Sequence, residues 1–303
     1  MNSKRFDPPI KYGVAFVNTN LMACLMKATK PGLREKKQRL AGILEACGAL
    51  AVAFSGGVDS TFLLAVAKDV LGEHVLAVTA TSAVHPRTES LAAAEIARTL
   101  GVAHRMVSSR EMELPEFVAN PSNRCYVCKR HVMAEVIRIA AEMGIAHVAH
   151  GANVDDLGDV RPGLKAAEEL GLSAPLVEAG LTKAEIRTLS RRMGLATWNK
   201  PSMACLASRI PYGTEITPEN LRMVETAEDF LHGLGLAGCR VRHHGAVARI
   251  ELAQKDLRKA LRQPARTAIV RRMREIGFRY VAVDLEGYVM GSLNRELEAG
   301  EGA

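Results

Sequence analysis

The chain has 303 residues, 48% hydrophobic and 24% charged, a balance that excludes a mainly disordered chain. It has no apolar run of ~18 residues to cross a bilayer, and aromatics at 4% predict an aliphatic core, with length for about two domains of ~100–200 residues each. Lys and Arg number 40 against 33 acids, a formal charge of +7 without a basic block; this permits an anionic partner without separating nucleotide from nucleic acid.

Residues 1–31 show no sustained period and end at Pro31-Gly32, which reads as an N-terminal extension. Lys4 and Arg5 precede an apolar stretch broken at Asn18, Thr19 and Asn20, with no small-residue cleavage site after it. No signal peptide is expected there. Six cysteines make no disulfide scaffold, so the expected location is the reducing cytoplasm.

From Leu33, apolar positions at Leu40, Ile43, Leu44 and Cys47 mark one face of a helix that Gly48 stops. Ala49 to Phe54 reads as a buried parallel strand. A helix is expected over 59–71, a strand over 75–80, a helix over 86–100 and a strand over 103–108. A helix over 128–143 and a strand over 145–150 follow. This alternation predicts an α/β fold with a doubly wound parallel sheet. Ligands of such sheets lie beyond the carboxyl ends of the strands, here the loops after Phe54, Ala80 and His150. Residues 151–163 read as loop, 163–170 and 182–193 as helices, and 197–214 as a long loop. A second pattern starts at Thr217-Pro218-Glu219. It comprises a helix to about Leu234, strands over 239–243 and 246–252 around a His244-Gly245 turn, helices over 254–261 and 265–276, and a strand over 279–285. This predicts a smaller C-terminal α+β domain over 215–290, after a first domain over 32–214 and before a tail over 291–303.

The strongest motif is Ser55-Gly56-Gly57-Val58-Asp59-Ser60, between a strand and a helix. Glycines let the backbone turn tightly and approach a ligand. A helix N-terminus offers free N–H groups and a favourable dipole to an anion. Ser55 and Ser60 add hydroxyls, and Asp59 suits Mg²⁺ or a helix cap. A Walker A lysine is absent. The pattern resembles the PP-loop ATPases, in which ATP is attacked at the α-phosphorus and pyrophosphate leaves. Gly233, Gly235 and Gly238 also spell G-x-G-x-x-G, but between a helix and a strand, the wrong context for a dinucleotide fold.

Cys125 and Cys128 form a C-x-x-C pair in a loop opening a helix, and Cys205 lies alone in the 197–214 loop. Three readings stay open: a structural zinc with a fourth ligand such as His131, a redox disulfide, or an iron–sulfur cluster on Cys125, Cys128 and Cys205. Cys24, Cys47 and Cys239 read as small buried hydrophobes.

The stretches Arg124–Lys129, Gly151–Gly163 and Ala204–Gly213, with Arg240–His244 and Ala248–Glu251, resemble the LarE family of PP-loop sulfurtransferases over residues 33–290. Those enzymes convert the carboxylates of pyridinium-3,5-biscarboxylic acid mononucleotide to thiocarboxylates, on the way to the nickel-pincer nucleotide cofactor of lactate racemase. The resemblance implies a homo-oligomer, ATP and Mg²⁺ at residues 55–60, a small-molecule mononucleotide substrate and an acyl-adenylate. Cys205 matches the cysteine that in some members gives up its own sulfur. Cys125 and Cys128 beside it make this chain look like the members that relay sulfur on a 4Fe–4S cluster; the sulfur donor is not specified. Cys205 and Asp59 are thus the expected catalytic residues. Arg209, Arg240 and Arg242 are the candidates for the substrate's phosphate and carboxylates, because a guanidinium fork suits both.

Other polar residues read more plainly. Asp155, Asp156 and Asp159 serve Mg²⁺ or cap the helix after Pro162, with capping favoured. His243 and His244 read as surface or hairpin residues, Trp198 as packing and Glu89 as helix-surface charge. The rival functions are a tRNA thiolase, an ammonia-using PP-loop amide synthetase and a zinc-stabilised binding module. The C-terminal region lacks a basic stripe interleaved with aromatics, which argues against an RNA partner.

Overall fold

A computed structural model describes residues 31–158, 162–202, 204–289 and 291–295. Lys4, Arg5, Cys24, Asp159, residues 1–30 of the expected extension and the tail after 295 lie outside the described residues.

Helix α1 (Leu33–Glu45) buries Leu40 and Leu44, one turn apart on the expected stripe. Then β1 (Leu50–Ala53), α2 (Val58–Leu71), β2 (Val75–Thr81), α3 (Arg87–Thr99) and β3 (Ala103–Ser108) alternate. The short α4 (Pro115–Val118) and the long α5 (Arg124–Glu142) lead to β4 (His147–His150). Helices α6 (Pro162–Glu169), α7 (Pro175–Glu178) and α8 (Lys183–Arg192) follow. The four strands run parallel in the order β3-β2-β1-β4, with Leu50 of β1 level with Val75 on one side and His147 on the other.

Strand periodicity explains why both faces are covered. Successive side chains point to opposite faces, so Leu50 and Val52 pack with Leu40, Phe62 and Ile186 on one side. Ala51 packs with Leu76, Val78 and Val136 of α5 on the other. The doubly wound parallel sheet is therefore present as expected.

Thr217 caps α9 (Pro218–Gly233) by accepting the Asn220 N–H at 3.1 Å, with Pro218 in the first turn. Beyond it, β5 (Arg240–His244) and β6 (Val247–Glu251) form an antiparallel hairpin. After α10 (Gln254–Leu261) and α11 (Ala265–Ile276), β7 (Tyr280–Val283) joins parallel to β6. This smaller mixed sheet buries Val241, Ile250, Leu231 and Met273. A separate apolar seam of Val84, Phe117, Leu206, Ile210, Leu221 and Val224 joins the Cys205 loop to α4 and α9.

Three local expectations change. Helix α5 starts at Arg124 rather than 128, because the Asn123 carbonyl already accepts the Tyr126 and Val127 N–H groups. Cys125 and Cys128 thus stand in its first turn. Pro115, within the stretch between the 103–108 strand and that helix that reads as loop, opens the short α4, since proline suits a first helical position. The 197–214 loop holds a 3₁₀ turn over Leu206–Arg209 and the end of another over Ala196–Asn199. Among the described residues, no helix is long and apolar enough to cross a membrane.

Candidate active site

The order in which strands are added reverses beside β1: β2 and β3 lie on one side and β4 on the other. That switch point opens a crevice at the carboxyl ends of the strands. The loop Ser55–Ser60 leaves β1 there. Gly56 takes φ +67°, and a Cβ on it would lie 3.1 Å from the backbone of Ala93 in α3. Ser55 Oγ lies 3.1 Å from Ser60 Oγ and accepts the Gly57 N–H at 3.4 Å, holding the loop around the first turn of α2. Gly151, just after β4, abuts the same turn. A Cβ there would lie 2.9 Å from the Ser60 nitrogen.

Two lysines absent from the sequence reading reach this loop. Lys183, from the first turn of α8, pairs with Asp59 Oδ2, while Asp59 Oδ1 is buried without a hydrogen-bond partner. Lys200 donates to the Gly56 carbonyl at 3.1 Å and to Glu89 at 2.6 Å, so Glu89 belongs to the loop's surroundings rather than to a plain helix surface. Nothing local in sequence marks either lysine. A cavity of about 130 Å³ opens beside the loop, lined among others by Phe54, Ser55, Thr79, His85, Glu89 and Lys129. Burial lowers the pKa of Lys129.

Asp155 accepts the Lys183 N–H at 2.8 Å, and Asp156 accepts the Asn153 N–H at 3.0 Å. Asp155 thus accepts the first N–H of α8, whose own cap is Thr182, because the chain folds back to place Val154 against Leu181 (N–H to carbonyl, 3.0 Å).

The three motif cysteines converge. Cys128 and Cys205 pack on the same apolar seam. The Leu206 N–H, next to Cys205, donates to the Val84 carbonyl at 2.8 Å. Burial pushes the Cys125 and Cys128 thiols up, and the nearness of Cys205 adds to the push on each. Arg124 beside Cys125 pulls the other way. Glu111, fully buried, receives hydrogen bonds from Ser82 and Ser109 and adds to the upward push on Cys128. His131 instead accepts the Arg110 N–H at 3.3 Å. Among the described residues, no group of three or more His, Cys, Asp or Glu side chains has the arrangement of a metal site. Cys47 packs against the main core and Cys239 is buried, as expected of small hydrophobes.

The candidate arginines are all buried. Arg209 makes a forked pair with Glu228 at 2.9 and 2.8 Å, and its Nη1 donates to the carbonyls of Ala204 and Cys205 at 2.7 and 2.9 Å. Glu228 also accepts the Val241 N–H at 2.9 Å. Arg242 donates to Glu251 at 2.7 Å and to the Ser208 carbonyl at 2.8 Å, with its Nε buried and unpartnered. Arg240 stacks 5.1 Å from the Tyr288 ring centre. His243 is buried 5.5 Å from the Phe278 ring, not at the surface, because its position on β5 faces the small core. Trp198 carries Arg191 at 5.1 Å.

Residues 41–122 match the asparagine synthase family, a PP-loop domain. The protein slr1717 of Synechocystis sp. is 43% identical over 246 residues, covering 81% of this chain and 92% of that one. The pyridinium-3,5-bisthiocarboxylic acid mononucleotide synthase of Lactiplantibacillus plantarum is 37% identical over 266 residues, covering 88% of this chain and 96% of that one. The protein MJ0830 of Methanocaldococcus jannaschii is 26% identical over 238 residues, covering 78% and 89%. With the strand–loop–helix site at the switch point, these likenesses identify the chain as a member of the LarE family of PP-loop, ATP-dependent sulfurtransferases.

Proposed function

We propose that this enzyme converts the carboxylates of pyridinium-3,5-biscarboxylic acid mononucleotide to thiocarboxylates, activating each as an acyl-adenylate. One observation carries the reading: the segment that touches the phosphate loop through Lys200 continues within five residues to Cys205. This continuity supports a reading in which activation and sulfur delivery are neighbours.

A free carboxylate is a poor acyl electrophile. Its oxygen attacks the α-phosphorus of ATP, the bond to the bridging oxygen breaks, and pyrophosphate leaves. The N–H groups opening α2 face the charge that develops on the phosphates. Asp59 suits Mg²⁺, since its Oδ1 is buried with no partner of its own. Lys183 then gives up Asp59 and turns to the phosphates. A sulfur nucleophile attacks the acyl carbon, the carbon–oxygen bond breaks, and AMP leaves with the oxygen. Arg240 serves the substrate's anionic groups, and Arg242, held by Glu251 and the Ser208 carbonyl, fixes β5 to the Cys205 loop. Arg209, closed in by Glu228, holds the carbonyls of Ala204 and Cys205 and so aims the loop.

Cys125, Cys128 and Cys205 would hold a 4Fe–4S cluster, since three thiolates are the soft donors that an iron–sulfur centre takes. When bound, the cluster would supply sulfide-level sulfur for the transfer. Burial pushes the pKa of both C-x-x-C thiols up, so a cluster that bound them as thiolates would release protons.

Anaerobic reconstitution with iron and sulfide tests this on the full chain and on Cys125→Ala. About four irons per chain, lost in the variant, is the expected result. No iron in either, with loss of the mass of hydrogen sulfide after turnover, would make Cys205 the consumed donor. Salt-steep binding of tRNA would favour the thiolase instead.

A further inference from the structure

We propose that Asn120, acting with Arg124, is a positioning strut that fixes the Cys205 loop against the Cys125–Cys128 turn. The purpose of the strut rests on the sulfur-transfer reading; its geometry does not.

Asn120 is fully buried and, among the described residues, alone among non-glycines takes a left-handed backbone, at φ 55°. Its Nδ2 donates toward three carbonyls of the loop after Cys205: Pro211 at 2.7 Å, Thr214 at 2.8 Å and Ile210 at 3.4 Å. Its own carbonyl accepts the Gly213 N–H at 3.0 Å. On the other side, its Oδ1 accepts from Arg124 Nη1, and Arg124 directly precedes Cys125. The same guanidinium lies 4.4 Å from the centre of the Tyr212 ring and reaches the Ile210 carbonyl at 3.5 Å. One amide therefore ties the start of the cysteine helix to the loop that carries the third cysteine.

Few side chains can replace it. The site needs N–H donors toward carbonyl oxygens and an acceptor toward a guanidinium. Aspartate has the same shape but would turn an unprotonated oxygen toward those carbonyls. Asparagine also tolerates the left-handed backbone that most residues resist. Glycine keeps that backbone and removes the strut, which separates the two contributions.

A short bifunctional thiol reagent, with peptide mapping, reads the separation directly on the apo chain. Wild type is expected to give a Cys205 crosslink to Cys128 or Cys125. Asn120→Asp and Asn120→Gly are expected to lower its yield by about tenfold, as the loop loses its effective concentration at the turn. ATP binding, by equilibrium dialysis, is expected to stay unchanged in both. In wild type the Gly213 amide is expected to resist hydrogen exchange, a readout that needs no variant. Unchanged crosslinking in the glycine variant, no crosslink in wild type, or free exchange at Gly213 would each overturn the strut. Normal crosslinking in a wild-type chain with no ATP-dependent sulfur transfer would count against the functional reading alone.

Discussion

The phosphate loop and the small C-terminal sheet both set cations against carboxylates, yet they use opposite chemistry. At the loop the cations are lysines, Lys183 and Lys200, with side chains 33% and 20% exposed. Each ammonium is a point charge on a flexible stem and can leave its partner when a phosphate arrives. At the sheet the cations are Arg209 and Arg242, 0% and 7% exposed and bonded to both carboxylates and carbonyls. The difference teaches where motion belongs. Lysine stands where a ligand comes and goes, and arginine stands where a loop must not move.

Breaking the fixed side should have the largest effect. Glu228→Ala leaves Arg209 buried and uncompensated, so a loss of about 3–5 kcal/mol in urea unfolding is expected. On the mobile side, Asp59→Asn should leave folding intact and slow pyrophosphate release by about 10²–10³-fold, measured with saturating ATP and the carboxylate substrate.

Acid should weaken the parallel sheet at its edge strand β4. Burial, aided by Lys129 and opposed by Asp156, lowers the His150 pKa to about 4. The unfolded chain therefore takes up the proton first. The neutral ring's contribution is complete above about pH 6.5 and is lost as pH falls through about 4, up to about 3 kcal/mol. A His150→Gln variant should flatten that pH slope.

A milder change sharpens the contrast. Lys183→Met should raise the KM for ATP by about tenfold with little change in unfolding, as expected of one departing charge. Smallest of all, Glu73→Ala removes an exposed pair with Lys68 and should leave the unfolding midpoint where it is.

The parallel sheet was legible because its strands are apolar runs spaced by helices, and the phosphate loop because its glycines and serines are contiguous. The C-x-x-C was legible as a pair, but its place in a helix's first turn was not. Pro121 and Asn123 read as loop, and only the carbonyl of Asn123 makes them a helix start. Lys183, Lys200 and Glu228 escaped notice for a different reason. Each acts on a residue far along the chain, Lys183 on Asp59 and Lys200 on Gly56, and no spacing rule spans such distances. The arginine triplet was visible as charge. That Arg209 is closed in by a glutamate on α9 is a tertiary fact.

The close approach of Gly151 to Ser60 has a mechanical consequence. Backbone meets backbone there at the distance a methyl group would occupy, with no side chain between to act as a cushion. Any side chain at 151 would have to push the end of β4 and the first turn of α2 apart, and so would widen the nucleotide cradle from behind without touching a residue that faces the nucleotide.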